Sequence, residues 1–231
     1  MMRKHKLAVT LFVIGLSIFA FPHVVQWINK HIHATEVEQF HRELESIPPS
    51  EITKTLDAVK QCNDSIFQNE DNVHDPFTEQ YDRNEYKGCE EAPNNGDHFA
   101  SIEIPKLDLM IPIYLGASDE NLAKGVGQVD GSSLPIGGIN THTVLAGHRG
   151  MGTKAMFRHI DYLQNGDTFY IYTLNEKIEY QVYDTKVILP HETESLTIHE
   201  GKDLASLISC HPYPNNTHRL VVYGERMDNT E

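Results

Sequence analysis

The feature that most constrains this chain is a long apolar segment near its N-terminus, residues 7–28, which contains no Asp, Glu, Lys or Arg. Only Pro22 and His23 interrupt it. A helix of about 20 apolar residues crosses the hydrocarbon core of a bilayer, so the segment predicts a membrane span. Three basic residues precede it and only Lys30 follows closely. Since positive charge is retained on the inner side, we expect residues 1–6 in the cytoplasm and the rest of the chain outside.

A cleaved signal peptide has a similar start, with basic residues before an apolar run. Here the run is long for a signal core, and a small-x-small cleavage pattern is missing near Ala20. We therefore interpret residues 7–28 as an uncleaved, single-pass anchor. The following domain would then lie on the extracytoplasmic side of a cell membrane.

Size and charge limit the possible partners. A chain of 231 residues fits one folded core with appendages. Its formal charge is −14, and no basic stripe follows the first few residues. Nucleic acid is therefore an unsuitable partner, because its phosphates require clustered Lys and Arg. Acidity alone predicts no substrate.

The chain has three cysteines, Cys62, Cys89 and Cys210, all after the apolar segment. An odd number outside the cell leaves at least one unpaired in the monomer. A leftover thiol in an oxidising compartment is a candidate reactive group.

Helical spacing marks the region after the span. Residues 29–60 are polar with apolar side chains three and four apart, and Pro48 and Pro49 interrupt them, so either one short amphipathic helix or two is expected. Residues 61–97 are rich in Asn, Asp, Glu and Gly and are expected to form a loop. A loop of that length is usually functional or disordered.

Residues 98–226 have the pattern of a mainly β domain, and residues 227–231 form a polar tail. Helices are expected at 119–125 and 155–162. Short β-branched or aromatic segments, separated mostly by Gly, Pro, Asn or Asp, are expected to form a barrel or sandwich. These segments are 100–104, 109–114, 143–146, 168–172, 177–183, 186–189, 205–209 and 219–223.

Three residues at predicted strand ends form a complete set for acyl transfer. Cys210 follows an apolar strand, His148 follows another between Gly147 and Arg149, and Arg219 opens the last strand. A thiolate attacks a carbonyl, an imidazole passes a proton, and a guanidinium stabilises an oxyanion. Each also has a plainer interpretation: a small buried thiol, an ordinary histidine and a surface charge.

Three motifs in one order resemble the sortase family, most closely its class C, pilin-polymerising members. Segment 141–150 (Thr-His-Thr-Val-Leu-Ala-Gly-His-Arg-Gly) is similar to the family's histidine strand. Segment 206–210 (Ser-Leu-Ile-Ser-Cys) resembles its Thr-Leu-x-Thr-Cys signature, and segment 217–222 (Thr-His-Arg-Leu-Val-Val) resembles its arginine strand. The resemblance covers the chain from about Gly96 onward. It implies a closed β-barrel of about eight strands, with short helices, an N-terminal helical segment and a lid loop.

On that resemblance the catalytic residues are His148, Cys210 and Arg219. Asp75-Pro76-Phe77 resembles the Asp-Pro-aromatic lid of class C sortases, which implies Asp75 against Arg219 and Phe77 over Cys210. An Asp-Pro pair is also a common way to open a plain turn. Cys62 and Cys89 flank this motif, and a disulfide between them would leave Cys210 free.

Two departures from the family pattern concern Ser206 and Ser209, where the signature has threonine, and the C-terminus. Serine keeps the hydroxyl and loses the β-branch methyl. Class C enzymes often carry a second, C-terminal membrane segment, whereas residues 225–231 here are polar. The chain therefore either has one anchor or is truncated. The resemblance thus identifies the family more firmly than the subclass.

The function implied by the resemblance is a cysteine transpeptidase in the membrane of a Gram-positive-type bacterium. It would cleave an LPXTG-like sorting signal between Thr and Gly and transfer the acyl group to a lysine of another pilin, with no cofactor. A housekeeping sortase that uses a cell-wall amine is the alternative within the family. Outside it are a silent adhesin barrel and a metal-binding module built from His142, His148, Cys210, His211 and His218. The spacing of these ligands is unlike that of ordinary zinc sites.

Overall fold

The computed structural model describes residues 2–69, 73–78, 89–93, 96–149 and 154–227. Parts of the predicted loop 61–97 and of the tail 227–231 lie outside these ranges, as does Gly150. Helix α1 spans Met2–Ser46, α2 spans Pro49–Asn69 and α3 spans Asp119–Lys124. The strands are β1 His98–Ile104, β2 Leu109–Leu115, β3 Val126–Gln128, β4 Thr141–Ala146, β5 Thr168–Tyr172, β6 Lys177–Ile188, β7 Asp203–His211 and β8 His218–Arg226.

The apolar segment forms part of α1, which continues without a break into the polar residues that follow it. The portion Lys4–Ser46 contains a stretch long and apolar enough to cross a membrane. A break at Ile47 and Pro48 separates α1 from α2, as expected for two helices divided by the prolines.

The expected loop beginning at residue 61 is wrong for its first nine residues, because α2 continues to Asn69. Val59, Cys62, Asn63 and Ile66 are buried at helical spacing and pack the helix onto the barrel. Asn63 exchanges two hydrogen bonds with the backbone of Leu134, at 2.8 and 3.2 Å. The packing stripe escaped detection because a cysteine and an asparagine occupy two of its four positions.

A disulfide joins Cys62 of α2 to Cys89. It ties the segment 89–93 to the helix, and Cys89 also packs against the main hydrophobic core. Cys210 remains as the free thiol.

The eight strands close into a barrel in the order β1-β2-β3-β4-β7-β8-β6-β5. The pairs β2–β3 and β4–β7 are parallel, and the other pairs are antiparallel. The neighbours β4, β7 and β8 matter most for function, because the C-terminal ends of β4 and β7 and the start of β8 meet at one rim.

The barrel interior holds most of the buried apolar side chains, including Phe157, Phe169 and Leu207. A second apolar cluster includes Val144, Ile208 and further residues of β4, β7 and β8. This second cluster also buries Val73, from the segment that precedes the Asp75-Pro76-Phe77 motif.

Three local details differ from the expectations. The three-residue strand β3 was missed, because three residues are too few to show an alternating pattern. The expected strands 177–183 and 186–189 are one strand, β6, with an irregularity at its middle. The expected helix 155–162 consists of turns and a short 3-10 helix, Ile160–Tyr162. In that region Phe157 N–H donates to the carbonyl of His148 rather than within a helix.

Candidate active site

Cys210 lies next to last in β7, directly opposite Arg219 of β8 in the antiparallel register. The preceding seven residues of β7 are buried, whereas Cys210 is only partly buried. The hydrophobic strand thus fixes the backbone, and the thiol emerges where burial ends.

His148 is brought to Cys210 by the parallel pairing of β4 and β7. The register pairs Ala146 with Ile208, and Gly147 N–H donates to the carbonyl of Ile208 at 3.1 Å. The hydroxyl of Ser209 donates to the carbonyl of Gly147 at 2.7 Å. Continuing that register by two residues beyond the Ala146–Ile208 pair brings His148 level with Cys210.

Gly147 is required at this position by packing. A Cβ there would lie 2.7 Å from the ring of Phe157, a buried core residue. The absence of a side chain lets the backbone that carries His148 lie directly on the core.

Arg219 is buried and held by hydrogen bonds from all three of its nitrogens. Its Nε and Nη2 atoms each donate to Asp75 at 2.7 Å, and Nη1 donates to the carbonyls of Asn216 at 3.0 Å and His218 at 2.9 Å. The Arg219 and Asp75 side chains are only 5% and 4% exposed. A bidentate pair of this kind fixes both groups in one geometry.

Phe77 lies near Arg219 and His148, the residues on the two strands next to that of Cys210. Its ring centre is 5.3 Å from the guanidinium carbon of Arg219 and 6.2 Å from the centre of the His148 ring. Buried Val73 anchors one end of this short segment, and the hydroxyl of Thr78 donates to the Asp75 carbonyl at 3.1 Å. Residues 73–78 therefore contact Arg219 and His148, and we call them the lid segment after the motif that they resemble.

The electrostatics favour a neutral thiol and a neutral imidazole in this arrangement. Burial raises the pKa of Cys210 above its usual value, and Asp75 adds to the increase, while Arg219 and Arg149 oppose it. Burial lowers the pKa of His148, partly offset by Asp119. Both shifts disfavour the ionised thiolate–imidazolium pair in this arrangement.

A charged network beside His148 was not foreseen. Arg149 contacts Nδ1 of His211 at 2.6 Å and donates to Asp161 at 2.9 Å. It thereby links the turn after β4 to the residue after Cys210. The sequence placed Arg149 next to the histidine but carried no signal for its pairing with Asp161, 12 residues further along the chain.

The other histidines of the metal-site alternative do not all converge on the cysteine. The His142 ring is buried in β4, six residues before His148, and its two nitrogens contact the carbonyl of Thr197 at 2.8 Å and the hydroxyl of Ser206 at 2.7 Å. Burial lowers its pKa to about 4. We interpret His142 as a structural residue that holds β4 and β7 to the neighbouring loop.

A closed barrel that presents a free thiol, an imidazole and a guanidinium on three adjacent strand ends is the architecture of a cysteine transpeptidase. The Sortase domain family model matches residues 102–227. The chain therefore belongs to the sortase family.

Curated relatives agree with this assignment. Sortase D of Bacillus subtilis is 30% identical over 138 residues, which are 58% of this chain and 67% of that protein. Sortase A of Listeria monocytogenes is 26% identical over 237 residues, covering 100% of this chain and 94% of its own length.

Solved class C sortases resemble the fold closely. Sortase C1 of GBS pilus island 1 superposes with a TM-score of 0.76 at 35% identity, covering 86% of this chain and 94% of that one. A Clostridium perfringens sortase C, solved with the C-terminal cell wall sorting motif, gives a TM-score of 0.74 at 33% identity, covering 84% and 99%.

Proposed function

We propose that this chain is a class C-type sortase in which Cys210 is the nucleophile, His148 the proton carrier and Arg219 the oxyanion donor. The observation that carries the proposal is the strand register. Cys210 pairs with Arg219 across β7 and β8, and the parallel β4–β7 ladder leads His148 to the other side of the same residue. One thiol thus has an acid–base group on one side and a cation on the other.

The first half-reaction forms a thioester. The Cys210 thiolate attacks the threonine carbonyl of an LPXTG-like sorting signal, and the Arg219 guanidinium stabilises the oxyanion of the tetrahedral intermediate. When the intermediate collapses, the Thr–Gly C–N bond breaks and the His148 imidazolium gives its proton to the departing glycine amine.

The second half-reaction reverses these roles. A lysine amine of another pilin attacks the thioester carbonyl, and the C–S bond breaks to regenerate the thiolate. His148 accepts a proton from the amine, and the product is an isopeptide bond. Class C sortases among the structural relatives, and the presence of a sorting motif with one of them, support this substrate class.

The lid segment controls access in this proposal. Asp75 occupies the guanidinium that the oxyanion needs, and Phe77 lies across the residues on both sides of the thiol. Productive binding of a sorting signal therefore requires residues 73–78 to move away. The negative charge of Asp75 raises the pKa of Cys210. When Asp75 moves away from the site, that contribution would be lost and the pKa of Cys210 would fall.

The proposed location is the outer face of a Gram-positive-type cell membrane. The apolar part of α1 would be the anchor, with basic residues on the cytoplasmic side. The barrel would then face secreted proteins that carry sorting signals at their membrane-proximal ends.

The test is a transfer assay with the full chain in detergent or vesicles. We expect a thioester-linked adduct on Cys210 with a Leu-Pro-x-Thr-Gly peptide, visible by intact mass, and none with Cys210→Ala. With a purified pilin bearing such a signal, we expect a covalent ladder resistant to boiling in detergent.

Two results would change the assignment. No adduct with any sorting peptide, in the wild type or in lid variants, would refute the transpeptidase proposal. An adduct that resolves onto peptidoglycan amines and gives no pilin ladder would assign the chain to the housekeeping alternative.

A further inference from the structure

The strand register shows which elements begin and end beside Cys210. β4 and β7 both end at the rim of the barrel that carries Cys210, which we call the catalytic rim. β3 is antiparallel to β4 and parallel to β2, and β1 is antiparallel to β2. β2 therefore begins at the catalytic rim and ends at the opposite rim. The 3-10 turn Pro105–Leu107 and Asp108, which connect β1 to β2, lie on the catalytic rim.

Helix α1 follows β2 from the catalytic rim to the opposite rim. Lys30 contacts Asp108, the residue just before β2. The Phe40 ring stacks on His98, the first residue of β1, with 4.1 Å between the ring centres. Ten helical residues rise about 15 Å, enough to run from one rim to the other along a tilted strand of seven residues. The apolar residues before Lys30 therefore leave the barrel at the catalytic rim.

A cavity of about 290 Å³ lies where this end of α1 meets the catalytic rim. It is lined by Trp27 of the helix, Leu107 of the 3-10 turn and Met156. The residue after Met156 is Phe157, whose N–H donates to the carbonyl of His148 at 3.0 Å. The end of the apolar segment and the backbone that carries His148 therefore lie at the same end of the barrel.

The proposed anchor sets the height of the catalytic rim relative to a bilayer. Residues 7–28 form about 33 Å of helix, close to the ~30 Å thickness of the hydrocarbon core. Trp27 lies at the end of this segment and is 63% exposed, where a tryptophan is suited to the headgroup layer. Because Trp27 and Leu107 line the same cavity, the catalytic rim lies at the level of the headgroups.

Two tyrosines on the catalytic rim have the exposure and chemistry of interfacial residues. Tyr162 ends the 3-10 helix before β5, which begins at this rim because it is antiparallel to β1, and Tyr213 follows β7. Their exposures are 59% and 67%. Exposed Val187 and Leu189 lie near the same rim, at the end of β6. A tyrosine side chain, with its apolar ring and polar hydroxyl, suits the boundary between hydrocarbon and water.

We propose that the catalytic rim faces the membrane and that Tyr162 and Tyr213 lie in the phospholipid headgroup layer. The inference rests on the membrane location given under the proposed function and adds a lipid-contacting surface to it. Cys210 then opens toward the bilayer, where it meets the sorting signal of a substrate that is still held in the same membrane. The opposite rim, with Ile139 before β4, faces away from the membrane.

The test uses the full chain in phosphatidylcholine vesicles, with tryptophan fluorescence as the readout. Trp27 is the only tryptophan in the sequence, so Trp27→Phe/Tyr213→Trp and Trp27→Phe/Ile139→Trp each report on one rim. Tyr213 and Ile139 are 67% and 68% exposed, which makes the second variant a matched control. The vesicles contain a lipid with a nitroxide on its headgroup in both leaflets, so the readout does not depend on the direction of insertion.

The nitroxide quenches fluorophores that contact the headgroup layer. The two rims are about 15–20 Å apart, so quenching at position 213 should exceed that at position 139 by about threefold or more. Iodide in the water should quench the two variants in the reverse order. In detergent without the nitroxide lipid, iodide should quench both alike, because the two positions are equally exposed. Quenching of Trp27 by the nitroxide in the unsubstituted chain confirms insertion.

Four results would overturn the inference. Equal quenching by the lipid at the two positions, or stronger quenching at position 139, would refute the orientation. Protection of position 213 from iodide without quenching by the lipid would assign this rim to a protein contact. Absence of quenching at Trp27 would remove the anchor on which the inference rests.

Thioester formation is measured separately, by the assay with sorting peptides. An adduct on Cys210 without lipid contact at position 213 would support the proposed chemistry and refute the orientation. Lipid contact at position 213 without an adduct would support the orientation and refute the chemistry. The two failures are therefore distinguishable.

Discussion

Removal of the Asp75 carboxylate should open the proposed active site, and its effect can be estimated from the contacts. Asp75 accepts two hydrogen bonds of 2.7 Å from Arg219, and the side chains of Asp75 and Arg219 are only 4% and 5% exposed. Hydrogen bonds to charged groups contribute about 1.5–3 kcal/mol each, and part of this is offset by the hydration that both groups regain on opening. A net contribution of about 2–3 kcal/mol to lid closure remains. Loss of this contribution would increase the population of the open form by about 30- to 150-fold.

The assay is the rate of Cys210 modification by a methanethiosulfonate reagent. When closure is faster than reaction, the rate follows the open population, so Asp75→Asn should react at least tenfold faster than the wild type. Phe77→Ala removes a partly buried ring worth about 1–2 kcal/mol and should give a smaller increase. The double variant sets the fully open limit. Cys210→Ala gives the background, and Asp57→Asn, an exposed carboxylate on α2, is the matched control.

The pH dependence of the same rate provides an independent check. Burial raises the pKa of the Cys210 thiol, and the Asp75 carboxylate adds to that increase. Removing Asp75 must therefore lower that pKa, increase the thiolate fraction at a given pH and move the midpoint of reactivity to lower pH. If both single lid variants react at the wild-type rate, and the pH midpoint of reactivity does not move, the lid is refuted. The roles of Cys210 and His148 would still stand.

Three further predictions concern residues around the site. Arg219→Gln should reduce acyl-enzyme formation by about 100-fold or more, measured by rapid-quench intact mass, because an oxyanion donor typically contributes that much; a rate within threefold of wild type would exclude its role. The double replacement of Cys62 and Cys89 by alanine should lower the free energy of unfolding by about 3 kcal/mol, since the disulfide closes a loop with a sequence separation of 27; unchanged thermal and denaturant transitions would contradict this. Gly147→Ala should cost about 1–3 kcal/mol of stability through overpacking against Phe157, and an unchanged melting temperature would show that the ring can move.

Much of the barrel could be anticipated because its strands satisfy local rules. The segment 168–172 was delimited correctly, and 109–114 was short of β2 by one residue, since β-branched and aromatic side chains there are bounded by turn residues. β3 escaped notice because its stability comes from pairing on both sides, with β2 and β4. The expected helix 155–162 had the right composition, but its apolar residues are used to fill the end of the barrel, with Phe157 bonded to His148.

The amino-acid sequence by itself determined the residue types and their order: a long apolar segment near the N-terminus, a thiol at the end of an apolar strand, and a histidine and an arginine at two other strand ends. These follow from side-chain chemistry and from patterns within about ten residues. Only the tertiary structure decided which of these groups meet. The parallel β4–β7 ladder joins residues 62 positions apart, Asp75 contacts Arg219 across 144 positions, and Arg149 contacts His211 across 62 positions. Contacts of this range depend on barrel closure and strand register, which no local pattern encodes.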